Sequence, residues 1–558
     1  MNLVEERQLK ITFDNKEEVT CYPGTLVKNI IKKHRAYNPD HNYIAALVNN
    51  RVVSVTYPLD TDSDLTMLTI ADSHGWRVYR NSVAFLLSKA AYECYPDNNL
   101  EINHSLGEGF YCSFDGIDKK ELPEVLEKIE ISMKKDIESK FPIVRHKVQF
   151  TDALYHFAAK FREDKCNLLR FQNNPKIAIY HCDNFSDLAH GALADNTKDL
   201  QYFKLIQYDS GFVLQFPDKS LPIKFSEFKK QKALFNIFKT YKKWGNTIGV
   251  RTVGDLNELI IRGEFRKIVE VEESFQEKKL AEIADDIHKR KDDLKWVLIA
   301  GPSSSGKTTF AHRLSTQMKV DGINPVIISV DNYFVEREKT PRDENGEYNF
   351  EDIETIDLPL LYEHLEKLDR GEEIEMPTFD FKDGKKKWLG NKIKLGRNDM
   401  AVIEGIHSLN PVMTKVLSQE RKYKIYINAL TQLNLDHNTR ISTTDCRLIR
   451  RVIRDHRTRG NRALATMMMW PSVRNGEKRW IFPFQSLADS AFSSAMNYEL
   501  FVLKPLVEPL FAEIKQWHEP YADARRIQEF LSNFVSASSS DVPRRSLLRE
   551  FIGGGILG

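Results

Sequence analysis

The sequence predicts a multidomain α/β protein whose C-terminal part is a parallel sheet with helices on both faces. Three observations predict it. At 558 residues the chain is too long for one hydrophobic core. Its 41% hydrophobic and 29% charged residues fit a folded globular protein. From Trp296 onward, continuous apolar strands alternate with helical segments, the pattern of strands buried on both sides.

Residues 1–72 read as a small strand-rich unit. "LKITFDN" alternates like a strand, and Pro23-Gly24 marks a turn with Thr25 as the expected helix N-cap. Leu26, Ile30 and Ile31 then give one apolar helical face. "IAALVNNRVVSVTYPL" reads as two strands joined at Asn49-Asn50, and "DLTMLTI" as a last strand. Strand, helix, hairpin and strand in this order make a ubiquitin-like β-grasp.

Residues 73–225 read as an α+β unit. It has a helix over 80–93, a strand and turn at "GFYCSFDG", and a charged amphipathic helix in "ELPEVLEKIEISMKKDIES". Residues 226–294 are mostly helical, with Leu280, Ile283, Ala284 and Ile287 at helical spacing in a packed connector. From 295 to 510 strands and helices alternate: "WVLIA", "KTTFAHRLSTQMKV", "PVIISVD", "LPLLYEHLEKLDRG", "DMAVIEGI" and "YKIYINA". Residues 511–558 read as a C-terminal helix and tail, with a Ser-rich linker and a short apolar terminus.

Bulk properties exclude several classes. A formal net charge of only +2 gives no electrostatic case for nucleic-acid binding, although a local basic face stays open. The six cysteines are scattered without a Cys-x-x-Cys pair, so free thiols in a reducing cytoplasm are expected rather than disulfides or a zinc ribbon. The charged N-terminus lacks the apolar core of a secretory signal. No run of eighteen apolar residues offers a membrane span.

The strongest motif is Gly301-Pro302-Ser303-Ser304-Ser305-Gly306-Lys307-Thr308, which satisfies G-x-x-x-x-G-K-[ST] between a strand and a helix. The glycines let backbone N–H groups turn toward anionic oxygens, and the helix N-terminus adds a favourable partial charge. Lys307 can reach the β- and γ-phosphates, and the Thr308 hydroxyl can ligate Mg²⁺. A GTPase switch, a motor or assembly ATPase, and a small-molecule kinase could each use such a loop. "NKIK" at Asn391 lacks the Asp of the base-reading motif of GTPases.

Asp331 ends the next apolar strand, where open α/β sheets bind ligands. A carboxylate there can take the proton of an acceptor hydroxyl; a turn or cap Asp is the alternative. Glu404 lies at the equivalent edge of the following buried strand, either holding Mg²⁺ through water or bonding to the phosphate loop. Arg447, Arg450, Arg451, Arg454, Arg457, Arg459 and Arg462 then crowd into one short stretch. They form either a solvated helix face or a helix and lid that bring guanidinium charge to a transferring phosphate, with Arg447, Arg451 and Arg454 on one face.

Together, "GPSSSGKTTF", "SVDNYF", "YNFEDIETIDLPLLYEHLEKLDRGEEIEMPTFDF", "VIEGIHSLNP" and "RLIRRVIRDHRTRG" resemble the uridine kinase and phosphoribulokinase family in order and spacing. The resemblance implies transfer of the γ-phosphate of ATP to a primary hydroxyl, in uridine kinase the 5′-hydroxyl of a nucleoside, with ATP and Mg²⁺ required. It implies ATP binding by Gly301, Ser303, Ser304, Ser305, Gly306, Lys307, Thr308 and Thr309, and metal binding by Thr308 and Glu404. It implies Asp331 as general base, Lys307 as a catalytic group, and Arg451, Arg454 and Arg459 as lid arginines. Phe334, Glu351 (or its neighbour Asp352), Phe379 and Arg451 fall at acceptor-binding positions. The family's base-reading His and Gln fall near Gly384 and Met469, and its Tyr becomes Phe379, so the base reader is not matched.

"YPGTL" and "ALVNNRVV" resemble the TGS domain, and residues 76–225 resemble the editing domain of threonyl-tRNA synthetase. The four reactive positions of that domain read Asn81, Phe85, Ala189 and Leu193, which offer no metal or catalytic set. A scaffold without its chemistry implies a regulatory or binding module, or an oligomerisation surface. An RNA- or ribosome-associated nucleotide switch is therefore the alternative to a kinase of a nucleoside or polyol.

Overall fold

A computed structural model of the chain describes residues 7–38, 41–342, 346, 348–381 and 383–557. Residues 1–6, part of the stretch read as lacking a secretory signal, lie outside the described residues.

The N-terminal sheet contains β1 (Leu9–Phe13), β2 (Glu18–Cys21), β3 (Ala45–Val48), β4 (Arg51–Ser54) and β5 (Ser63–Leu68) in the order β2-β1-β5-β3-β4. Strands β1 and β5 run parallel, which requires a long connection; β2, the helix α1 (Val27–Ile31) and the β3–β4 hairpin supply it. Asn49 and Asn50 both take positive φ, 49° and 57°, which closes the β3–β4 hairpin in the hand its twist favours. Thr25 is not the helix cap. It pairs with Leu59 in a two-residue bridge and its hydroxyl donates to Tyr22 O, so α1 starts after Leu26 without a side-chain cap.

Helix α2 (Ser73–Cys94) begins seven residues before the expected 80. The polar stretch "SHGWRVYRN" has no strong apolar rhythm, and Gly75 is required because a Cβ there would lie 2.0 Å from Thr69 O. Two antiparallel sheets follow. One pairs β6 (Leu100–Leu106), β7 (Gly109–Phe114), β11 (Lys204–Tyr208) and β12 (Gly211–Gln215) in the order β11-β12-β7-β6. The other pairs β8 (Ile143–Gln149), β9 (Lys176–Cys182) and β10 (Phe185–Leu188). Helices α3 (Leu122–Ser139), α4 (Phe150–Ala159) and α5 (Glu163–Leu169) complete this region. Phe85 and Leu193 are buried in its apolar core, and the Phe85 ring stands 5.3 Å from Phe185. Apolar side chains thus fill two of the positions where the resembled domain carries reactive groups.

Helices α6 (Lys232–Ile248), α7 (Val253–Ile261) and α8 (Phe265–Lys289) lead to the C-terminal sheet. That sheet joins β13 (Trp296–Ala300), β14 (Asn324–Ser329), β15 (Asp399–Glu404), β16 (Lys422–Asn428) and β17 (Ser490–Ser493) in the order β14-β15-β13-β16-β17, with every pairing parallel. Alternate residues face opposite layers. Val297, Ile299, Val402, Ile425 and Ile427 share a cluster with Leu280, Ile283, Ala284 and Ile287 of α8, and with α9 (Lys307–Val320). Trp296, Leu298, Ala401, Ile403 and Tyr426 share the opposite cluster with Leu361, Leu365 and Leu368 of α10 (Leu358–Asp369). The sheet continues into α11 (Thr443–Arg459), α12 (Ala463–Trp480), α13 (Glu499–Phe511), α14 (Tyr521–Leu531) and the short α15 (Arg549–Ile552).

The N-terminal regions attach to this body through polar contacts and through Leu168 of α5, which is buried in the same apolar cluster as Val297 and Ile299. The hairpin Asn434–Asp436 and Thr439–Arg440 reaches β6, where Ile102 N donates to His437 O and Asn434 Nδ2 donates to Ile102 O. Lys165 of α5 lies between Asp187 and Asp436, at 2.7 and 3.4 Å, with all three buried. All six cysteines are free, and among the described residues no helix is long and apolar enough to cross a membrane.

Candidate active site

The carboxyl ends of β13, β14 and β15 converge. Ile299 and Ser329 both lie in register with Glu404, so the loop after β13, the turn after β14 and the end of β15 meet at one edge. The loop is shaped by exclusion. A Cβ on Gly301 would stand 2.1 Å from Ile427 O, and Gly306 holds φ +82° where α9 begins. Ser304 also takes positive φ, 59°. Ser304 and Ser305 are buried, and neither hydroxyl has a partner among the described residues. Buried unpartnered hydroxyls beside the N-terminus of a helix are donors for an anion. Lys307 is half-buried with its ammonium on Pro302 O at 3.2 Å, Thr308 is exposed, and Thr309 is buried.

The acidic residues differ in setting. Asp331 lies in the 3₁₀ turn Val330–Tyr333 directly after β14 and is half-exposed. Glu404 is buried and accepts from Ser329 Oγ at 2.6 Å and, more loosely, from Thr308 Oγ1 at 3.5 Å. Burial first, and then the nearby Asp331 charge, push the Glu404 carboxyl up to about 7. Thr308, Glu404 and Asp331 together supply hard oxygen donors, two of them carboxyl groups, which fits a Mg²⁺ ion.

The arginine run splits into two sets of contacts. Arg447 and Arg450 point into the protein and support the loop from behind. Arg447 Nε donates to Ser303 O at 2.9 Å and pairs with buried Glu477. Arg450 donates to Ser304 O at 3.4 Å, to Ser494, and pairs with buried Glu499. Arg447, Arg451 and Arg454 all lie on α11, and Arg447 and Arg451 both reach Ser303; what spacing alone does not show is that buried glutamates far along the chain claim Arg447 and Arg450.

Arg451, Arg454 and Arg459 share one buried carboxylate, Asp455, at 3.3, 2.9 and 3.6 Å. Burial works against ionisation of Asp455, but Arg454, Arg459 and Arg451 hold its carboxyl below the usual range. Three guanidiniums on one carboxylate leave excess positive charge. Arg459 lies near Arg454 and Arg451 on one side and Asp331 on the other. Arg451 also donates to Ser303 Oγ at 2.7 Å, linking this group to the loop.

Glu351 and an aromatic trio lie beside this group. Glu351 is buried 3.7 Å from Arg451, with one carboxylate oxygen lacking a partner among the described residues, and burial raises its carboxyl despite that arginine. Asp352 instead caps the turn Ile353–Thr355 through Glu354 N, so of the two acids only Glu351 faces the site. Helix α12 packs so closely here that a Cβ on Gly476 would meet Glu351 Cβ at 2.3 Å. Phe334, Phe379 and Phe381 form edge-to-face contacts at 5.2 to 6.1 Å, and Arg459 lies over Phe381 at 5.3 Å. Phe379 and Gly384 belong to the hairpin Thr378–Asp380 and Lys385–Lys387, with Arg337 packed on Gly384. Arg474 also pairs with Glu477, at 2.7 Å.

The structure thus brings together Lys307, Thr308, Asp331, Glu404, the three arginines, Glu351 and the phenylalanines. Sequence reasoning missed Asp455, Ser329, Glu477, Glu499 and Glu550. The signal for Asp455 was its position four residues from both Arg451 and Arg459; the others carry no local signal.

The fold and loop define a domain of the P-loop α/β class. Residues 297–499 match the model of the Phosphoribulokinase / Uridine kinase family, and the chain carries a domain of that family there. The N-terminal region is similar to threonine–tRNA ligases: 33% identical over 164 residues to that of Desulforamulus reducens (29% of this chain, 26% of the relative), and 33% over 165 residues to that of Clostridioides difficile. The chain spans about a quarter of the length of these curated relatives (26%). A solved structure described as a possible uridine kinase from Bacillus stearothermophilus is 20% identical, covering 38% of this chain and 100% of that one, with a TM-score of 0.24. A putative fructose transport system kinase from Silicibacter sp. TM1040 is 17% identical, covering 38% and 98%, with a TM-score of 0.28.

Proposed function

We propose that the chain is an ATP-dependent kinase that transfers the γ-phosphate to a primary hydroxyl of a small molecule, with the 5′-hydroxyl of a nucleoside as the acceptor class. The observation that carries this is the placement of a half-exposed carboxylate, Asp331, beside a phosphate loop and a cluster of three arginines with excess positive charge. Asp331 takes the acceptor proton as the oxygen–phosphorus bond forms and the bond to the ADP oxygen breaks. Lys307 and the loop N–H groups bind the phosphates. Arg451, Arg454 and Arg459 stabilise the charge that develops on transfer. Thr308 and Glu404 would hold Mg²⁺, which neutralises phosphate charge when bound. Glu351 and Arg451 orient acceptor hydroxyls, and Phe334 and Phe379 provide an apolar wall that shields the reaction from water.

The N-terminal likeness to threonine–tRNA ligases favours one second reading, an RNA- or ribosome-associated nucleotide switch. ADP release measured across a panel of nucleosides and polyols, and separately with RNA, decides between them. The kinase reading expects stimulation by a small alcohol. Stimulation by RNA alone would overturn it.

A further inference from the structure

The C-terminal segment enters the phosphate site. Val542, Leu547, Leu548 and Phe551 are buried, in one apolar cluster with Phe310 and Leu314 of α9 and Ile449, Val452 and Ile453 of α11. Leu547 packs against the loop's last glycine, its Cδ2 3.7 Å from where a Cβ on Gly306 would be. Phe551 lies 4.8 Å from the Arg450 guanidinium, the group that also holds Ser304 O. Arg457 donates to the carbonyls of Phe551 and Glu550, at 3.2 and 2.8 Å. These contacts fix the backbone on either side of Glu550.

The Glu550 carboxylate then takes two donors at the start of α9: the Thr309 N–H at 3.3 Å and the Thr309 hydroxyl at 3.0 Å. Both belong to the first turn of the helix whose N-terminus faces bound phosphate in a loop of this kind. A carboxylate there satisfies the same donors and the same helix dipole that a phosphate oxygen would, and its charge repels a phosphate. The negative charge of Glu550 also reaches Glu404 across the loop.

We propose that Glu550 is a built-in competitor of the nucleotide. Its carboxylate and a phosphate of ATP or ADP use the same Thr309 donors, so a bound nucleotide requires Glu550 to swing away. The apolar anchors Leu547, Leu548 and Phe551 keep the segment docked and make the competition local to one side chain. The proposal rests on the nucleotide-binding reading of the loop.

The test is calorimetric titration of Mg·ADP and Mg·ATP into the full-length wild type and into E550Q, E550A, D541N and K307A. Asp541 is an exposed acid of the same tail and controls for bulk charge. The expected result is nucleotide affinity raised on the order of tenfold in both Glu550 variants, with D541N equal to wild type and K307A weakened. Affinity in E550Q and E550A equal to or below that of wild type would overturn the proposal while leaving nucleotide binding itself intact. Binding by neither the wild type nor the Glu550 variants would instead remove the nucleotide reading, and the proposal with it. Binding by the Glu550 variants alone would support the proposal in its strongest form.

Discussion

The arrangement of three arginines on Asp455 gives a quantitative test in the substitution Asp455→Asn. Asp455 is fully buried, and its partners Arg451 and Arg454 are 9% and 14% exposed, so both pairs lie in a poorly solvated setting. Arg459 is 36% exposed and its pair at 3.6 Å contributes little once solvent screening is counted. Removing one partner of a buried ion pair costs about 3–5 kcal/mol. Asparagine keeps the shape and an acceptor oxygen toward Arg454, so the expected loss of stability is about 2–4 kcal/mol. The larger consequence is functional. Without the shared carboxylate the guanidiniums should repel one another and spread apart, and on the proposed kinase function kcat should fall at least about 100-fold. The loop itself is held separately, by Arg447 with Glu477 and Arg450 with Glu499, so nucleotide affinity should stay within about threefold of wild type. Single-turnover transfer measured beside calorimetric nucleotide binding separates the two effects. A variant that keeps its kcat, or one that loses binding in step with kcat, would refute the division of the arginine run into supporting and transferring groups.

Two further outcomes follow from particular contacts. Gly301→Ala should abolish nucleotide binding and lower Tm, because its Cβ would meet the Ile427 carbonyl at 2.1 Å in the middle of the sheet; normal titration of nucleotide would contradict this. Docking of the N-terminal regions should weaken in acid. Burial opposes ionisation of Asp436, yet Lys165, His190 and Arg162 hold its carboxyl well below the usual range, and Asp164 is depressed likewise against burial by Arg162 and Lys165. A depressed carboxyl contributes fully above its unfolded value near pH ~4, and its contribution is lost as pH falls toward the folded value. Asp436→Asn should therefore lower Tm at pH 7 and flatten its decline below about pH 4; parallel declines in the two proteins would show that the contact does not drive the acid response.

Much of the C-terminal fold was legible because its signals are local. Apolar strands, helix periodicity and the glycine-serine loop each occupy a few consecutive residues, and β13 to β16 lie where those patterns put them. The edge strand β17 was missed because "SAFS" is short and polar on one side. The start of α2 was misplaced for the same reason: its first turns carry little apolar rhythm. In the site, Glu404 and the loop were legible at strand ends, whereas Asp331, read as ending its strand, lies in the 3₁₀ turn that follows it. The roles within the arginine run were not, since helical spacing alone cannot say which face buried acids will claim. Glu477 and Glu499 decide that, from 30 and 49 residues away in the chain. Glu550 is 241 residues from Thr309, and no local pattern marks it as a partner.

The central claim is that Asp331 removes the acceptor proton beside a loop that binds the phosphates independently. The measurement closest to it is single-turnover phosphoryl transfer in Asp331→Asn, with ATP affinity titrated in the same preparation. The account predicts ATP affinity within about threefold of wild type and transfer slowed by about 100-fold or more. Transfer at the wild-type rate in that variant would contradict it.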